Sequence, residues 1–245
     1  MDQNAQNLRN GARLLSRDAG FLAAIGNTDP DDRATIESAL ANHGRRIKAS
    51  MTMLVSPERK VVASTSDAQA AGLKHMVMSM LEKAEQSDGA NGIAIVERLP
   101  YQIVVVPVKA PLTIGFVVMT FPLDERLARD MQETTSLQTL LLTRDSKGNW
   151  LPVASSLAPS AVGSIMAQLQ GMGRMPSDAF DVDITSDKLS VRMTPIGEDD
   201  GQVAVVMLGR SINEATAEYA RLERWLLGLT AAGIVVCVVA SVLTA

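Results

Sequence analysis

Arg98, Tyr101 and Lys109 are polar residues at the ends of a largely apolar strand-forming stretch, Tyr101–Val108. A guanidinium, a phenol and an ammonium so placed could hold an anionic group by charge-assisted hydrogen bonds. The plainer reading makes Arg98 and Lys109 strand ends in solvent and Tyr101 a core residue. Arg192, inside a later strand-forming run, is a weaker candidate of the same kind. No catalytic constellation is found. Two histidines, His43 and His75, leave little scope for a Ser/His/Asp set or a metal site. His43 falls on an apolar helical stripe beside Arg45 and Arg46, which suits a packing or hydrogen-bonding role, with pH sensing as the alternative. The one cysteine, Cys237, has no intrachain partner for a disulfide. Asp145, Lys147 and Asn149 surround Gly148; calcium needs a longer acidic series, so a hairpin turn is expected. No phosphate-binding glycine motif is present, and Gly171 and Gly173 read as flexible loop. No catalytic residue, metal or cofactor is assigned.

The elements that must position these residues follow from composition and period. The net charge is −4 and no basic stripe exists, which argues against a nucleic-acid partner. Hydrophobic residues make up 47%, enough for real cores, but only 3% are aromatic, so a pocket has few rings to offer. Residues 5–25 read as a helix. A second begins with Asp29 as N-cap and Pro30 in the first turn, and carries Ile36, Leu40, His43 and Ile47 at three- to four-residue spacing. Two helices before any strand predict a long stalk over 1–50.

From Met51 the period changes. Strands are expected at 51–56 and 61–65, a helix at about 67–86, strands at 92–97, 101–108 and 112–121, and a helix from Pro122. Pro107 favours an edge or a bulge. The pattern then repeats: strands at 137–143 and 150–156, a helix at about 159–169, strands at 180–184, 189–196 and 202–209, and a helix from Ser211. Each copy carries a proline in its fourth strand, Pro107 or Pro195, and a glycine before or within its last, Gly115 or Gly201. A repeat of this length predicts a duplicated lobe, at 51–135 and 137–224.

The stretch from Trp225 to Ala245 contains no Asp, Glu, Lys, Arg, His, Asn or Gln. It is long enough to cross a bilayer as a helix, with Trp225 at the boundary and Arg221 and Arg224 outside it. The N-terminus lacks an apolar signal-like core. The expected fold class is therefore α+β: long N-terminal helices, two tandem PAS-like five-stranded antiparallel lobes, and a C-terminal transmembrane helix over 225–245.

The order strand–turn–strand–helix–three strands–helix resembles a PAS-like lobe, used twice. The segment RDAGFLAAIGNTDPDDRATIESALANHGRRIKASMTMLVSPERKVVAS, residues 17–64, resembles the double Cache input domains attached to bacterial GGDEF/EAL cyclic-di-GMP enzymes and to sensor kinases. The resemblance implies a periplasmic domain between two membrane helices, a cytoplasmic output and no enzymatic activity of its own. It places a ligand between a sheet and its covering helices, where the strand bearing Tyr101 and Lys109 would line it. The chain shows no clear version of the Tyr/Trp/Arg/Asp set with which amino-acid-binding members hold their ligand. The expected function is thus a sensory input domain, 51–135 membrane-distal and 137–224 membrane-proximal. It would be anchored in the bacterial inner membrane, paired as a homodimer through its N-terminal helices, and responsive to a small ligand, anionic where the basic groups hold it, or to a partner protein. The competing readings are a tail-anchored scaffold without a ligand and an enzyme domain, the latter disfavoured by the missing acid/base pairs.

Overall fold

The computed structural model describes residues 10–11, 19–26, 32–172, 174–184, 187–199, 201–213, 225–227, 230 and 233. Helices α1 (Ala19–Gly26) and α2 (Asp32–Ile47) precede the first sheet. That sheet comprises β1 (Met51–Val55), β2 (Val61–Ser64), β3 (Ala90–Val96), β4 (Leu99–Lys109) and β5 (Thr113–Pro122), with α3 (Asp67–Gln86) inserted after β2. Helix α4 (Glu125–Thr135) leads to the second sheet: β6 (Gln138–Arg144), β7 (Trp150–Ser155), α5 (Pro159–Gln170), β8 (Phe180–Ile184), β9 (Asp187–Asp199) and β10 (Gln202–Ser211).

The two sheets have the same strand order, β2-β1-β5-β4-β3 and β7-β6-β10-β9-β8, with every neighbouring pair antiparallel. The expected α+β class and the two five-stranded lobes are therefore present. The proline shared by the copies has a common physical reason. Strand β3 pairs β4 only as far as Val105, and β8 pairs β9 only as far as Val191. Pro107 and Pro195 lie beyond those points, where the fourth strand has a free side and a missing N–H costs no ladder bond.

The first sheet is covered on both faces, so its strands are apolar at nearly every position. Met51, Met53, Val55, Ile103, Val105, Phe116 and Val118 pack under α3 against Leu73, Val77, Met80 and Leu81. Leu54, Val104, Val106, Val108, Val117 and Met119 pack on the other face against Phe21, Ile36 and Leu40 of α1 and α2. The described parts of the two N-terminal helices thus form a layer on the first sheet. In the second sheet Leu189, Val191 and Met193 of β9 face α5, whereas Ser190, Arg192 and Thr194 alternate with them in solvent. That alternation is what one covered face produces. Helix α4 covers part of the opposite face through Leu127, Ala128 and Met131, against Leu141, Ala154 and Val206.

The helix expected from Pro122 starts later. Pro122 ends β5, opposite Tyr101 of β4. Asp124 is the N-cap, accepting the Leu127 N–H at 3.1 Å. A carboxylate in that position satisfies a donor that proline cannot reach. The helix expected to start at Asp29-Pro30 is described from Asp32; its cap lies outside the described residues. Among the described residues no helix is long and apolar enough to cross a membrane. Most of the predicted span 225–245 lies outside them. Of its described residues, Trp225, Leu226 and Leu227 are helical and exposed.

Candidate functional site

The three residues singled out by sequence are dispersed along β4. Arg98 lies in the β3–β4 turn with a left-handed backbone, φ 70°. Lys109 ends the same strand, on the order of 30 Å away at about 3.3 Å per residue. Its Nζ meets Asp88 Oδ1 at 3.0 Å, at the far edge of the lobe. Arg98 instead points across to the second lobe, its Nη2 3.4 Å from Asp145 Oδ2. Tyr101 is half-buried near the Arg98 end. A single small ligand cannot touch both cations. Arg192 is exposed on the open face of the second sheet.

Asp145 has its oxygens in use. Oδ1 accepts the N–H of Lys147 at 3.0 Å and of Asn149 at 2.8 Å, and Oδ2 accepts the Asn149 amide at 3.0 Å. The Asn149 side-chain hydrogen bond, followed by its backbone N–H, holds the Asp145 carboxyl below the usual range. This is the hairpin turn that the spacing predicts. Among the described residues no group of His, Cys, Asp and Glu is arranged to hold a metal ion.

The Arg98–Asp145 pair belongs to a seam between the lobes. The Arg98 carbonyl accepts the buried Thr143 hydroxyl at 3.2 Å. The backbone N–H of Ile95, on the edge strand β3, donates to Asp199 Oδ2 at 3.4 Å. An edge strand leaves outward N–H groups without a ladder partner, and the end of β9 supplies one from the other lobe. Gly197 comes so close to β3 that a Cβ there would lie 2.7 Å from Ile93 Cβ. Ile93 also joins the apolar cluster formed by α4 and the second sheet.

Beside this seam opens a cleft of about 420 Å³, with Leu99, Pro100 and Tyr101 from the first lobe, Val153 from the second, and the start of α4 between them. Its charged groups are Asp124, Glu125, Arg126 and Arg129, and the Tyr101 phenol is a further polar group. Glu125 and Arg129 lie 3.9 Å apart, both exposed. A second groove of about 490 Å³ continues past Glu125, Arg129 and Val153 to Ser155, Ser156 and Val162. Of the residues picked from sequence, only Tyr101 reaches the cleft. Arg126 and Arg129 were missed; their one signal is the three-residue spacing that puts both on one face of α4.

Against this geometry, residues 1–216 match the family described as "Double sensory domain of two-component sensor kinase" (dCache_3). The periplasmic domain of Vibrio cholerae LuxQ has the same fold at 12% identity, over 86% of this chain and 94% of that one, with a TM-score of 0.55. The sensory domain of the Campylobacter jejuni chemoreceptor Tlp3 aligns at 14% identity over 86% and 87% of the two chains, with a TM-score of 0.46. The sensor domain of the V. cholerae histidine kinase DctB aligns at 14% identity over 81% and 87%, with a TM-score of 0.47. No curated protein matches the sequence.

Proposed function

The chain belongs to the double sensory domain family of two-component sensor kinases, and from that premise we propose that it is the extracytoplasmic input of a membrane-anchored signalling protein. The first lobe is the membrane-distal one. The second passes its displacement through a helix that continues from Ser211 into the apolar stretch 225–245 and crosses the bacterial inner membrane. Two chains pair through their N-terminal helices, so that the motion of one output helix is read against its neighbour. The output is a kinase or an enzyme of cyclic-di-GMP turnover.

One observation carries the reading: β10 runs directly into the start of a helix that is pinned to the sheet. Asp187, at the head of β9, accepts the Ser211 hydroxyl and also the Asn213 N–H at 3.4 Å. Ile212 and Asn213 are already helical. A shift of the second sheet therefore has a short path into whatever follows, and shifts of about 1–2 Å are enough for switching. A ligand moves such an equilibrium only by its difference in affinity between the two states.

Sidedness is the test. Ser56→Cys, in the β1–β2 turn, or the more exposed Ser87→Cys, is offered to a membrane-impermeant thiol reagent in intact cells. Labelling of the variants, with Cys237 of the parent chain unlabelled, is the expected result. Variants that react only after lysis would support a tail-anchored scaffold and end the proposal. Replacing Tyr219 and Leu222 with glycine is expected to disconnect input from output in the full-length protein.

A further inference from the structure

We propose that the cleft between the lobes binds a small amphipathic anion, its apolar body on Leu99, Tyr101 and Val153 and its charged end between Arg126 and Arg129. This rests on the sensory reading above and names the ligand class and its place. The cleft is open to solvent, its floor is apolar, and it draws on both lobes and on α4. A molecule seated there touches the three bodies whose relative positions a signal must change.

The sign of the charge follows from what the polar groups already do. Asp124 is committed to capping α4. Glu125 and Arg129 form only a loose, exposed pair at 3.9 Å, the kind that contributes little and opens at little cost. The Arg126 guanidinium has no ion pair among the described residues, and it lines both this cleft and a neighbouring pocket that includes Gln102, Phe121 and Asp130. Arg126 and Arg129 are three residues apart on one helix face, a separation that lets two guanidinium groups bracket one carboxylate or sulfonate. In the adjoining groove the Ser155 hydroxyl takes the Leu157 N–H at 2.9 Å, and the Ser156 hydroxyl takes the Thr139 N–H at 2.8 Å. The Ser156 hydroxyl donates in turn to Gln138 Oε1 and the Thr139 carbonyl, each at 3.3 Å, whereas the Ser155 O–H is left to assist the arginines as a neutral donor.

The test titrates 1-naphthoate and its neutral analogue 1-naphthamide calorimetrically into the full chain in detergent, with detergent alone as the blank. Saturable one-to-one binding of naphthoate is expected, with the amide weaker by about tenfold or more. Arg126→Gln with Arg129→Gln should lower naphthoate affinity by about tenfold and leave the amide unchanged. Val153→Trp, which fills the floor, should weaken both ligands, with an unchanged far-UV spectrum showing that the fold survives. Equal affinity for acid and amide, wild-type naphthoate affinity in the double arginine variant, or no saturation by about 10 mM would each overturn the proposal. Those results leave the sidedness experiment untouched, so the cleft and the sensory reading fail separately.

Discussion

Gly197 is where one lobe presses its backbone against the other. A Cβ there would stand 2.7 Å from Ile93 Cβ, 2.9 Å from its Cγ2 and 3.2 Å from its carbonyl oxygen. The last of these is backbone and cannot turn aside. Gly197→Val should therefore destabilise by about 1–3 kcal/mol, the usual cost of overpacking, read from urea unfolding midpoints. Ile93→Ala in the same chain should recover part of that loss, since the two sites share one contact. Additive effects would show that the lobes do not meet at this point. Asp187 and Asp145 make a second residue-level prediction. The Ser211 hydroxyl first, then the Lys188 and Asn213 N–H groups, hold the Asp187 carboxyl below its usual range, as Asn149 does for Asp145. A depressed folded pKa means the contribution is fully present above the unfolded value, near 4, and is lost as pH falls through the folded value. Thermal midpoints should thus fall below about pH 4, and the fall should be shallower in the Asp187→Asn, Asp145→Asn double variant. Parallel curves for parent and variant would contradict this.

At the scale of elements, α4 is the piece that joins the two lobes. It ends the first lobe, covers the second sheet with the fully buried Ala128, and frames the cleft. Asp124→Ala removes its cap and should cost about 1 kcal/mol, measured by chemical denaturation. No change would mean that water serves the Leu127 N–H equally well. Helix α4 is also where the sequence was least legible. Proline suits a first helical turn, so Pro122 reads as its start, but the residue is the last of β5 and pairs with Tyr101 of β4. Elsewhere the elements could be read, because period and punctuation agreed: α3 was expected at about 67–86 and spans Asp67–Gln86, and β8 was expected at 180–184 and spans Phe180–Ile184. The doubly covered first sheet hid its face assignment, since Val104, Val105 and Val106 are all buried and show no alternation. The cleft could not be read at all. It gathers residues 99–101, 122–126, 129 and 153, and no periodicity joins segments that meet only through tertiary packing. Arg98 and Lys109 looked like neighbours because they bound one apolar run, yet a strand's length is what keeps them apart.

For the whole molecule, the decisive question is whether two lobes behave as one body. Each copy is near the size at which a core is only marginally self-sufficient. The apolar cluster containing Leu123, Leu127, Ala128, Leu141, Ala154 and Val206 also takes in Ile93 from the first sheet, so neither lobe completes its packing alone. The hydrogen bond from Ile95 to Asp199 and the Arg98–Asp145 pair add polar contacts along the same seam. Unfolding should then be a single cooperative event. Trp150, buried in the second lobe, provides a local probe once the other tryptophan is removed by Trp225→Phe. Its fluorescence in urea should trace the same midpoint as far-UV circular dichroism, which sees both lobes. Ile93→Asp places a charge in the seam and should part the two curves, with Trp150 reporting the surviving or failing second lobe by itself. Separate midpoints in the parent chain would mean that the lobes are linked only as beads on a chain, and a signal starting in the first sheet would then have no packed route to Ser211.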